Sequence, residues 1–131
     1  MFFCTSYFGN LKKLPTDVVP ISICGKAPDW YKGLQYKKLA PKYDFFMKWK
    51  ETRDNDYYIR CFNDQVLSVA SFYDTFHELQ EMARKVNPDA KYICLICYEK
   101  PGDFCHRHLV AEWFRANDIP CEEFNVTEVL K

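Results

Sequence analysis

The 131-residue chain has no excess of charge of either sign: 18 Lys and Arg stand against 18 Asp and Glu. A neutral total gives no global pull toward nucleic acid or anionic lipid. No apolar run approaches the ~20 residues of a membrane-spanning helix, so no membrane partner is expected. Met1–Phe8 is apolar but short, with no basic leader and no small-residue cleavage site, and does not read as a signal peptide. Repeats, low-complexity tracts and glycine–serine linkers are missing, which leaves no candidate domain boundary and one domain over residues 1–131 as the expectation. Seven cysteines is an odd number. Without an export signal they are expected to be reduced thiols in the cytoplasm, with no disulfide.

What is present is apolar. Hydrophobic residues make up 48% of the chain and aromatics 18%, enough for a packed core and too much for a disordered segment. Phe2–Phe8 and Val18–Cys24 read as strands, closed by Gly9-Asn10 and by Gly25. Lys26–Ala40 reads as a structured loop. Pro41 to Lys50 has Phe45, Phe46 and Trp49 on one helical face. Asp54 or Asn55 can cap a second helix bearing Tyr58, Phe62, Val66 and Leu67. Ser68 or Ser71 starts a third, which Asn87-Pro88 stops. Tyr92–Tyr98 is nearly continuous apolar sequence, as in a strand covered on both faces. A helix from about Phe104 to Asn117 and a short strand at Cys121–Val126 complete the series. Strands alternating with helices predict a Rossmann-like α/β domain, with a small, mostly parallel sheet of about four strands.

Chemistry concentrates in "ICLICYEKPGDFCHRHLVAEWF", Ile93 to Phe114. Cys94-x-x-Cys97 has zinc-like spacing, but residues three apart on a strand face opposite ways and no turn residue intervenes, so Cys94 is expected in the core. Cys97 and Glu99 share a face at the strand's carboxyl end, where parallel sheets bind ligands. Leu109, Val110, Trp113 and Phe114 define the buried stripe of the following helix, and one turn back along it lie Cys105 and His106. A helix start with Arg107 favours an anion and the thiolate form of Cys105. Glu99, Cys105 and His106 are the candidate catalytic groups, with Glu99 and His106 as acid and base. The Cys-x5-Arg spacing of cysteine phosphatases is missing, because Asp103 occupies the arginine's place counted from Cys97. Anion binding, a metal held by Cys97, Cys105 and His106, thiol redox chemistry and plain packing all remain open on these residues.

The stretch "LICYEKPGDFCHRHLVAEWF" resembles the signature of the family named domain of unknown function 488: Cys-x-Glu at a strand end, then Cys-His-Arg at a helix start. Here those residues are Cys97, Glu99, Cys105, His106 and Arg107. "TSYFGN", which contains Ser6, is similar to the family's first strand and turn; "PISICGKAPDWYKGLQYKKLAP" and "QVLS" resemble later segments. Larger members carry Asp-Val-Arg at the second strand end, where this chain has Ser22-Ile23-Cys24, so that acid and base are not carried over. The resemblance implies a small cytoplasmic α/β domain of microbes and their viruses, and no established reaction or cofactor.

Between Lys26 and Lys50, seven lysines interleave with Trp30, Tyr31, Tyr36 and Tyr43. Lysine beside exposed aromatics suits phosphate charge and base stacking. Together these features lead to one expectation: a pocket at the strand ends binding a phosphate-bearing or nucleotide-like ligand, or a nucleic acid. Arg107, Lys26, Trp30, Tyr31 and Ser6 are the expected ligand contacts. The alternatives are a non-enzymatic domain with a structural metal, acting through a protein or nucleic-acid partner, and a redox protein using Cys97 and Cys105.

Overall fold

A computed structural model describes residues 1–99 and 103–124. Five strands form one sheet: β1 (Phe2–Tyr7), β2 (Val18–Ser22), β3 (Leu34–Gln35), β4 (Tyr92–Cys97) and β5 (Cys121–Glu123). Their spatial order is β3-β2-β4-β1-β5, and every pairing is parallel. The continuous apolar run of β4 takes the centre, between β1 and β2, where residues Ile93 to Cys97 are all buried. Parallel strands need crossovers, and α-helices supply those from β3 to β4 and from β4 to β5. These are α1 (Tyr43–Thr52), α2 (Asn55–Phe62), α3 (Phe72–Val86) and α4 (His106–Ala116).

Side-chain alternation along the strands divides the core in two. Phe3, Val19, Ile21, Ile23, Ile93 and Leu95 face the helices, all four of which bury their apolar stripes in that cluster. Cys4, Val18, Cys94 and Ile96 point the other way, against Phe8, Ala27 and Tyr31 from the connections after β1 and β2. Neighbouring strands therefore send their chains to opposite sides of the sheet: β2 toward the Tyr31 side, β4 into α4 on the helical side. Such a divergence opens a crevice at the strands' carboxyl ends.

Local signals set the helix limits. Asp54 accepts from the Tyr57 amide at 3.1 Å and caps α2; Ser71 accepts from the Asp74 amide at 3.2 Å and caps α3. Phe62 is followed by a wider π turn over Asn63–Leu67, which buries Val66 and Leu67 on the expected face. The loop expected at residues 26–40 contains the two-residue β3, and the last strand is described as far as Glu123; Asn125 and Val126 of its expected span lie outside the described residues. Among the described residues no helix is long and apolar enough to cross a membrane.

Candidate functional site

Cys97 ends β4, and Cys105 directly precedes α4. The parallel register places Tyr7 beside Cys97, while Ile23, just beyond β2, donates its amide to the Ile96 carbonyl at 3.0 Å. The end of the central strand is thus held between its two neighbours. His106 opens α4 on the apolar stripe and points inward, buried, with Nε2 2.7 Å from the Ile23 carbonyl oxygen. Burial pushes its pKa down to about 4, so the ring is neutral near pH 7. The carbonyl can only accept, so Nε2 carries the proton and Nδ1 is left open, 3.9 Å from the Cys105 sulfur.

The sulfurs of Cys97 and Cys105 meet as a disulfide, where seven free thiols were expected. The physical reason is the stripe geometry: the first turn of α4 faces the end of β4, and its inward residues converge on Cys97. Cys4, Cys24, Cys61, Cys94 and Cys121 are free. Cys94 lies on the sheet face away from the helices, and the group formed by Cys97, Cys105 and His106 does not include it.

Arg107 takes a place the sequence did not suggest. It is wholly buried, and its charge is matched by Glu123 at the end of β5: Nε donates to Oε1 at 3.0 Å and Nη2 to Oε2 at 2.8 Å. Nη1 donates to the Glu99 carbonyl oxygen at 2.6 Å and to the Cys97 sulfur at 3.1 Å. Thr5 donates to Glu123 at 2.6 Å. Burial raises the Glu123 carboxyl, but the hydrogen bonds from Arg107 and Thr5 outweigh it and leave the pKa below its ordinary 4.5. A bidentate pair of this kind, with its arginine buried, fixes geometry. Here it aims a cationic donor at Cys97.

Above these residues lies a cavity of about 780 Å³, with Cys97, Cys105 and His106 lining its inner end. One wall is aromatic: Phe46 and Trp49 from α1, Tyr58 from α2, and Phe104. Trp49 is fixed by its Nε1 donating to Asn55 Oδ1 at 2.8 Å and by the Phe104 ring at 5.5 Å. Lys26, Lys50 and Glu99 supply charge around the space. Cys24 also lines it, with a thiol that burial pushes up to about 11 and so keeps neutral.

The expected residues divide accordingly. Glu99, Cys105, His106, Cys97 and Lys26 line the cavity. Arg107, Ser6, Trp30 and Tyr31 do not. Ser6 is buried on β1 and accepts from Asn10 Nδ2. Tyr31 donates to the Leu34 carbonyl oxygen at 2.7 Å and packs edge-on against Phe8. Trp30 is exposed and meets the same Phe8 ring. These two aromatics follow the connection leaving β2, which runs to the face away from the helices. Lys50, the last of the lysines read as ligand-facing, lines the cavity, and so do Phe46, Trp49 and Phe104, which were not expected there. Phe46 and Trp49 showed only as a helical aromatic stripe, which also serves a core.

The family model described as DUF488-N3a, the active DUF488-N3 subclade, matches residues 10–118. The chain belongs to the DUF488 family. Its Cys97-x-Glu99 strand end and Cys105-His106-Arg107 helix start both fall within the matched span, and these are the residues that gather at the cavity's inner end and behind it. No curated protein and no solved structure matches the chain.

Proposed function

We propose that this DUF488 protein binds a nucleotide-like ligand in the cavity over Cys97, Cys105 and His106. The observation that carries the reading is the pairing, in one space, of an aromatic wall with two lysines. A planar ring lies against Phe46 and Trp49, while a phosphate or similar anion is drawn to Lys26 and Lys50. The volume suits a drug-sized ligand, and the lining has the usual character of ligand sites: mostly apolar, with a few placed polar groups. The subclade's description as active supports treating this crevice as the working face. Within the reading Glu99 is the acid–base carboxylate, and the Cys–His floor is the reactive end.

A thermal-shift panel of phosphate, mononucleotides and short oligonucleotides tests it. Wild type should be stabilised by at least one mononucleotide, and Lys26→Ala/Lys50→Ala should lose most of that shift. Equal shifts in both proteins, or none in either, would defeat the reading.

The meeting of the Cys97 and Cys105 sulfurs favours a second reading, thiol–disulfide exchange with a small disulfide. Cys97 thiolate, beside Arg107, attacks one sulfur of the substrate and expels the other as a thiolate. The Cys105 thiolate then attacks the Cys97 sulfur of the mixed disulfide, forming the Cys97–Cys105 bond and expelling the second substrate sulfur as a thiolate. Cys105→Ser should trap that mixed species, detectable by mass. Its absence after exposure to glutathione disulfide counts against the exchange.

A further inference from the structure

Three donor atoms converge at the inner end of the cavity. Sulfurs of Cys97 and Cys105 and a ring nitrogen of His106 all lie within 4.8 Å of one another, and all three residues are buried. The imidazole is set from behind, because the Ile23 carbonyl holds the proton on Nε2 and turns the Nδ1 lone pair toward Cys105. Metal-ligating histidines are oriented by this kind of contact to their second nitrogen. Arg107 Nη1, 3.1 Å from the Cys97 sulfur, is a charged donor suited to steady a metal-bound thiolate. The Cα atoms of Cys97 and Cys105 stand 7.3 Å apart. Once their bond is reduced, both sulfurs can turn toward a common ion about 2.3 Å from each.

We propose that the reduced protein holds one divalent thiophilic ion, zinc by class, on Cys97 Sγ, Cys105 Sγ and His106 Nδ1. Two thiolates and a neutral imidazole cancel the ion's charge, and Glu123 cancels that of Arg107 behind it. Neutrality matters here because an uncompensated buried charge is costly. Loading releases the two thiol protons to solvent. Sulfur with imidazole selects zinc over magnesium or calcium, which prefer oxygen. Three protein ligands leave a tetrahedral ion one position short, and all three residues line the cavity. The fourth position then takes water or the anionic group of a cavity ligand. The ion would thus provide the anion anchor that Arg107, already paired, does not. Metal binding shares the floor of the proposed ligand site but does not depend on what fills it.

The test is made on the full chain, purified untagged, under reductant and without chelator. Metal analysis should find about one zinc per chain, released when a mercurial blocks the thiols. Cobalt replacement should give sulfur-to-cobalt charge-transfer absorption and a tetrahedral visible band. Cys105→Ser and His106→Ala should each weaken cobalt binding by more than about tenfold, while Cys61→Ser should not. If those variants fail to fold, competition between wild type and a chromogenic chelator supplies the affinity. Reduced wild type that binds neither ion, with Cys97 and Cys105 both open to alkylation, overturns the proposal. So does an unchanged cobalt band in Cys97→Ser/Cys105→Ser. Zinc retained with no nucleotide bound would defeat the ligand reading alone; nucleotide bound without zinc would defeat this one alone.

Discussion

Arg107 shows how one buried charge organises the site. A guanidinium with no exposure is tolerable only if its donors are met, and here Glu123, the Glu99 carbonyl and the Cys97 sulfur meet them. Removing Glu123 would leave the cation buried and unpaired. We therefore expect Glu123→Gln to destabilise the fold by roughly 2–3 kcal/mol, somewhat less than a wholly buried pair because the carboxylate is about one-quarter exposed. Urea unfolding measures this; a loss under ~0.5 kcal/mol would mean the pair behaves like a surface one. The acid limb carries a second sign. The folded Glu123 pKa lies below its unfolded value, so its contribution is complete above the ordinary 4.5 and is lost as pH falls through the folded pKa. Glu123→Gln should accordingly flatten the decline of stability below that pH, and an unchanged acid limb would contradict the assignment.

At the scale of elements, α1 and α2 make the cavity wall, and their junction is held by the Trp49–Asn55 hydrogen bond. Asn55→Ala should cost about 1 kcal/mol of stability and weaken ligand binding, because Trp49 loses the contact that fixes its ring. Ser71→Ala, which uncaps α3 away from the cavity, should cost a similar ~1 kcal/mol with binding unchanged. If both variants bind equally well, the wall has been placed wrongly. The difference between these residues also shows what was legible in the sequence. Ser71 and Asp54 are read as caps because capping is local, and the stripe Leu109–Val110–Trp113–Phe114 points correctly to Cys105 and His106. Glu123 as the partner of Arg107 was not legible: sixteen residues separate them, and side-chain pairing across α4 and β5 follows only from the sheet order. The position of Trp30 and Tyr31 off this cavity was not legible for the same reason. Nothing local records that the connection after β2 leaves toward the face away from the helices. The two-residue β3 is too short to show any period.

Across the whole molecule, the parallel order β3-β2-β4-β1-β5 places β4 between strands whose connections depart to the other face of the sheet. The signature residues of the family end up at that divergence, where the central strand stops and α4 begins. The proposed ligand would bind in the crevice there. Amide and tryptophan-side-chain NMR during titration with a mononucleotide tests it most directly. Shifts should concentrate on Lys26, Phe46, Trp49, Lys50 and Phe104–His106, with the Trp30 indole unmoved. Shifts centred on Trp30 and Phe8, with Trp49 silent, would contradict it.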